Sequence, residues 1–310
     1  MSELIHSVEA VMIILLLTAT GYFCSAVGWL NKASKAFISK FLMSVAVPFM
    51  CVYGLRTHLS RELLERAGVM LLIPFLCISA CFVVSYFAAK LLKLERRSLG
   101  VFMMLCGLSN TLFIGYPMCL ELFGEDAIPF VMMYYLVSSF FTQAVGTTLV
   151  RWSGESAPFS AKMLLRFLKA PPVLGVLLGV VIVAFDIPLP SLVMSYGKYM
   201  NQVVTPLALL VTGEIIHEIG LKNLRVDASA AVVLAFRFLL APALSSALCA
   251  AFGVAGLARD VFVIQAAMPT VTQTAVAASE YGADEKMAAQ CAAVSTLGSF
   301  VVIPLLMLVL

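Results

Sequence analysis

Residues 69–92 read VMLLIPFLCISACFVVSYFAAKLL, and Lys90 is the one charged side chain among them. As an α-helix this stretch is about 36 Å long, enough to cross a hydrocarbon layer of roughly 30 Å. Its apolar side chains leave no polar stripe, and a helix that is hydrophobic all round belongs in a large core or in lipid. Composition decides between the two. Hydrophobic residues fill 62% of the 310 positions, charged residues only 12%, and the mean hydropathy is +1.03. A soluble domain carries about 45–50% apolar and about 25% charged residues. The charge needed to coat a water-facing surface is missing, so the chain reads as an all-α polytopic membrane protein.

Working outward, nine further stretches resemble 69–92. The ten run over 9–30, 38–56, 69–92, 99–120, 127–150, 167–186, 200–220, 229–252, 260–279 and 287–309. The ninth, rich in Thr, Gln and Ala, is the least apolar. Connectors are short, so no separate soluble domain is expected. The longest polar one, Arg151 to Lys162, divides the chain nearly in half. Met1 to Ala10 holds no Lys or Arg, so the first stretch reads as a retained span and not as a secretory signal.

The net charge of +3 matters less than where the basic residues sit. With an external N-terminus, inside connectors collect fourteen Lys and Arg: Lys32, Lys35, Lys40, Lys90, Lys93, Arg96, Arg97, Arg151, Lys162, Arg166, Lys169, Lys222, Arg225 and Lys286. Outside connectors hold five: Arg56, Arg61, Arg66, Lys198 and Arg259. The positive-inside rule then places both termini outside, in the periplasm of an inner-membrane protein. No basic run with interleaved aromatics appears, which excludes a nucleic-acid partner. The eight cysteines lie in or beside apolar stretches without zinc-type spacing, and read as small buried hydrophobes. No metal and no cofactor is expected.

Several helix-breaking residues recur at an offset of 158: Gly21 with Gly179, Pro48 with Pro206, Gly124 with Gly282. Residues 1–155 and 156–310 are therefore expected to be two five-helix repeats, and an odd number of spans makes the second enter the membrane inverted. The same offset matches Ser109-Asn110-Thr111, midway along the fourth stretch, to Ala267-Met268-Pro269, midway along the ninth. Inside lipid every backbone N–H and C=O needs a partner. Ser, Asn and Thr divert backbone hydrogen bonds and favour helix N-caps, while Pro fits the first turn of a new helix. Each stretch reads as two half-helices, the second beginning near Thr111 or Pro269. Their positive ends would share a cavity able to hold an anion. A simple kink is the plainer alternative.

Ser109, Asn110, Thr111, Met268, Pro269, Thr270 and Gln273 are the expected substrate contacts. Arg237, about 12 Å deep in the eighth stretch, is expected to form a structural ion pair with Glu214 of the seventh; contact with a substrate carboxylate and snorkelling are the alternatives. His217 reads as an interfacial side chain. Gln143 and Gln265 either line the cavity or bond a neighbouring helix, and Glu121, Glu125 and Asp126 read as a solvated cluster.

These residues also carry a resemblance. Leu108-Ser-Asn-Thr-Leu-Phe-Ile-Gly-Tyr-Pro117 with Leu122-Phe-Gly124, Thr205-Pro206 through Gly213, Arg237-Phe with Ala241-Pro242, and Ala266-Ala-Met-Pro-Thr270 resemble motifs of the auxin efflux carrier family, whose architecture is like that of bile-acid/sodium symporters. The resemblance implies broken, crossed fourth and ninth helices, with Asn110 and Pro269 beside the substrate. It also implies a scaffold of helices 1, 2, 6 and 7 and a mobile transport domain of helices 3–5 and 8–10. The implied activity is alternating-access transport of small organic anions, with malate or malonate as examples for bacterial members. Thr111 stands where plant members have Pro, and their long middle loop is absent, which favours a bacterial member. Expected partners are the lipid bilayer and the anion; a homodimer is allowed and not required. A sodium-coupled symporter and a non-transporting sensor are the alternatives. An intramembrane enzyme lacks a nucleophile–base set, and no Walker motif is present.

Overall fold

The computed structural model describes residues 2–155, 165, 167–220 and 226–310. Most of the middle connector, with Pro158, Lys162 and Arg166, and Lys222 and Arg225 of the following hairpin lie outside the described residues. Among those described, seven helices are long and apolar enough to cross a membrane: Val8–Ala26, within helix α1 (Ser2–Ala26), then α2 (Lys32–His58), α3 (Ala67–Leu91), α6 (Glu125–Gly154), α8 (Ser191–Ile219), α9 (Ala228–Ala251) and α12 (Glu285–Met307). The expected sixth stretch holds α7 (Pro171–Ala184). The fourth and ninth are each interrupted, as α4 (Arg96–Gly107) with α5 (Gly115–Phe123), and α10 (Leu257–Ala266) with α11 (Gln273–Glu280). No strand longer than a single bridge occurs among the described residues.

Helix starts follow local chemistry more closely than hydropathy does. The Asn31 side chain accepts from the amides of Ala33 and Ser34, so α2 begins at Lys32, six residues ahead of the apolar stretch. Helix α8 begins at Ser191, nine residues early. Pro188 and Pro190 are the nearest residues that stop it, because each lacks a backbone donor. The added turns expose Tyr196 and Tyr199.

Glycines set the closest helix contacts. A Cβ on Gly21 of α1 would lie 2.2 Å from the Leu210 carbonyl oxygen of α8, and one on Gly213 of α8 would lie 2.0 Å from the Thr18 oxygen of α1. Helix α7 meets α2 in the same manner, with Gly175 against Pro48 and Gly179 against Leu55. Thus α1, α2, α7 and α8 pack as one group. In a second group α3 packs on α4 and α6, and α9 on α10 and α3. There Gly100 of α4 meets Leu149 of α6, and Gly154 meets Tyr281.

Lys35 of α2 reaches Glu214 at 2.9 Å and also Glu218, both on α8. Glu214 is nearly wholly buried. Removing one partner of such a pair leaves an uncompensated carboxylate. Lys35→Met is expected to cost about 1–3 kcal/mol of stability, and adding Glu214→Gln should recover part of it. Thermal unfolding of the purified variants checks this; equal stability of wild type and single variant would rule out a stabilising pair.

Candidate functional site

The two interruptions face each other. Helix α4 ends at Gly107, Leu108 is extended, and Ser109 forms an antiparallel bridge with Thr270. The Asn110 amide donates to the Pro269 carbonyl at 2.8 Å, and the Val271 amide to the Leu108 carbonyl at 3.2 Å. Each broken helix thus satisfies backbone groups of the other, which the absence of water in a membrane interior demands. Thr270 is held from behind: its amide and hydroxyl both lie 3.2 Å from the Ser295 hydroxyl of α12.

Asn110 does more than bridge. Its Oδ1 accepts the Phe113 amide at 3.2 Å and its carbonyl accepts the Gly115 amide at 2.9 Å, so it caps the turn that leads into α5. Because Oδ1 is the acceptor, the amide orientation is fixed and Nδ2 becomes a donor. That Nδ2 is buried and has no protein partner. In the first turn of α11 the Thr274 hydroxyl is likewise buried and unpartnered. A buried polar group without a partner costs about 1–3 kcal/mol. Both costs fall at the starts of the two second half-helices. Close approach here depends on Gly115, whose absent Cβ leaves room for the Gln265 side chain. Gln265 is wholly buried and bonds the Cys119 thiol of the neighbouring helix at 3.5 Å.

The structure therefore brings Ser109, Asn110, Thr111, Met268, Pro269 and Thr270 together, all buried. Gln273 differs: it is exposed. Successive helical residues are about 100° apart, and with Thr274 turned inward Gln273 turns out. The half-helices also begin at Gly115 and Gln273 instead of near Thr111 and Pro269, four residues later in each case. Pro269 is used by the extended pairing of 108–110 with 269–271, and Thr111 lies in the turn that Asn110 caps.

The expected Glu214–Arg237 ion pair is not formed. Glu214 meets Lys35. Arg237 instead donates from Nε to the Met268 carbonyl at 3.1 Å, from Nη1 to the Cys106 carbonyl at 3.0 Å, and from Nη2 to the Ala266 carbonyl. Similar depth along two helices does not make two side chains share a face. His217 packs its ring edge-on to Tyr22 and bonds Ser25 at 3.0 Å, which ties α1 to α8.

Glu125 and Asp126 are exposed, as a solvated cluster would be, and both also meet partners. His58, at the end of α2, lies 3.0 Å from Asp126 and 3.3 Å from Glu125. Glu125 also accepts from the Asn201 side chain of α8 at 3.1 Å, and Asn201 accepts from the Tyr116 hydroxyl of α5. Tyr116 and Asn201 are both buried and 85 positions apart. No periodicity links them, and this connection was not readable from sequence. At the opposite end, Arg97 donates to Gly282 at 3.0 Å, Arg96 to Trp152 at 2.8 Å, and Ser98 to Asp284 at 2.6 Å.

Among the described residues this is a helical, multi-pass membrane protein with a polar joint between two broken helices in its apolar interior. The chain belongs to the membrane transport protein family, which is auxin-efflux-carrier-like; the family's pattern matches residues 6–307. It is similar to an uncharacterized transporter of Methanocaldococcus jannaschii, 26% identical over 302 residues and 96% of both chains. It is also similar to an uncharacterized transporter of Methanothermobacter thermautotrophicus, 25% identical over 307 residues and 98% of both. The protein is a transporter and not an enzyme.

Proposed function

We propose that the protein is a secondary carrier of small organic anions that works by alternating access in a prokaryotic inner membrane. Ten crossings form two inverted repeats, residues 1–155 and 156–310. Helices α1, α2, α7 and α8 make the scaffold, and the remainder makes the transport domain. The pairing of glycine contacts supports the duplication. Gly21 on α1 seats against Leu210 of α8, and Gly179, 158 positions later, seats against Leu55 and Cys51 of α2. The contacts joining Arg96 and Arg97 to Trp152 and Gly282 gather three basic-side connectors at one end; with that basic end inside, both termini lie outside.

The observation that carries the reading is the free Nδ2 of Asn110 at the joint. A buried donor with no protein partner, beside the first turns of two half-helices, fits a carboxylate oxygen. Each helix start adds roughly half a positive charge. The substrate would sit between this joint and the scaffold, touching Ser109, Asn110, Thr111, Met268, Pro269 and Thr270. The polar chain from Tyr116 through Asn201 and Glu125 to His58 then joins transport domain to scaffold on the outer side.

The test is a thermal-shift series on purified protein with malonate, malate and acetate, with sodium or choline as the counter-ion. A ligand at about 100 times its dissociation constant raises stability by about 2.7 kcal/mol. A carboxylate-dependent upward shift is expected. A shift that vanishes in choline would assign a sodium-coupled symporter instead, and no shift with any carboxylate at saturating concentration would count against an anion site.

A further inference from the structure

Arg237 is among the largest wholly buried side chains of the described residues, 1% exposed, on a π-helical turn (Phe236–Leu240) of α9. A cation so placed normally faces a carboxylate. Here all three guanidinium nitrogens face main-chain carbonyls instead: Cys106 in the last turn of α4, Ala266 at the last turn of α10, and Met268 just beyond it. Those of Cys106 and Ala266 belong to the set that a helix leaves without partners at its C-terminus. Each helix end also carries roughly half a negative charge. Two such ends therefore present about one negative charge, which a single guanidinium neutralises. The extra residue of a π turn re-aims a side chain locally, and such turns recur at functional positions. The planar fork of arginine can serve three acceptors at once, which the point charge of lysine does less well.

We propose that Arg237 is a positioning residue that fastens the negative ends of α4 and α10 into one unit and so fixes the geometry of Asn110. The proposal rests on the transport reading for its functional meaning, because Asn110 is the donor offered to the substrate. Its structural content stands apart. Cys106 lies four residues before Asn110, and Met268 immediately precedes Pro269, whose carbonyl receives the Asn110 amide. The guanidinium and the short extended pairing hold the joint from adjacent positions. One N–H of each Arg237 guanidinium nitrogen is thus committed to the main chain, through which its charge acts on the joint.

Amide hydrogen exchange of the full chain in lipid nanodiscs tests this without any ligand. In Arg237→Met the amides of Asn110 and Val271, which donate across the joint, are expected to exchange at least tenfold faster. Amides at the α1–α8 contact should keep their wild-type rates. Arg237→Lys should give a smaller acceleration at the same two positions. Unchanged exchange at Asn110 and Val271 overturns the proposal. So does acceleration spread evenly through α1 and α8, because the arginine would then support the whole fold and not the joint. Where Arg237→Met fails to fold, Arg237→Lys decides by the same criteria. Should Asn110→Ala transport normally while Arg237→Met still loosens the joint, the substrate site is wrong and the fastening is right.

Discussion

Replacing Asn110 with alanine is expected to abolish solute counterflow in proteoliposomes while costing only about 1 kcal/mol of stability. The two effects come from two atoms of one side chain. Oδ1 caps the turn before α5 by accepting the Phe113 amide, and loss of such a cap costs about 1 kcal/mol. Nδ2 has no protein partner, so its removal costs the fold little and could even relieve it. A hydrogen bond from that donor to a charged ligand is worth about 1.5–3 kcal/mol. Binding alone should fall about 10- to 160-fold, with further loss if the bond strengthens during the conformational change. Asn110→Asp separates the roles further. It keeps an acceptor for the cap yet replaces the donor with a carboxylate that is buried without a partner, so anion transport should be lost and the unfolding midpoint should fall further than in Asn110→Ala. Wild-type counterflow in Asn110→Ala, with expression intact, would remove this residue from the site.

Gly213→Leu is expected to prevent stable folding. A Cβ there would sit 2.0 Å from the Thr18 oxygen and 2.5 Å from the Tyr22 nitrogen, both main-chain atoms that cannot rotate away. Helices α1 and α8 would have to separate along the contact that also holds Gly21 against Leu210. Overpacking of this sort costs about 1–3 kcal/mol or more. Helix propensity opposes it, since alanine is favoured over glycine by about 1 kcal/mol in a helix interior. The sign for Gly213→Ala therefore reports which effect wins, and the 2.0 Å approach says that sterics do. Loss of monodisperse protein for Leu and a lowered unfolding midpoint for Ala are the expected readings. A raised midpoint for Ala would mean that the two helices are not packed so closely.

Much of this fold is legible in the sequence because a bilayer punishes ambiguity. Uncharged runs such as 69–92 can be little else than crossing helices, and interruptions at Ser109-Asn110-Thr111 and Met268-Pro269 mark where helices must break. Side-chain partners are another matter. Arg237 and Glu214 lie at similar depth, yet depth says nothing of rotation about the helix axis. Lys35 answers Glu214, and main-chain carbonyls answer Arg237. Carbonyl acceptors leave no trace in a sequence, since every residue has one. The chain from Tyr116 through Asn201 to Glu125 and His58 is equally silent, because it joins four separate segments without a periodic signal. Gln273 lies exposed for a simpler reason: adjacent helical positions point about 100° apart, and Thr274 takes the inward direction.

The broken helices also bear on how such a chain is made. Helix α4, Arg96–Gly107, is about 18 Å long, too short to stay threaded through a bilayer unaided. Its companion in the bridge, Thr270, leaves the ribosome more than half a chain length after Ser109. For that interval the Asn110 amide and the Leu108 carbonyl lack their native partners, the Pro269 carbonyl and the Val271 amide, so the joint can close only late in synthesis.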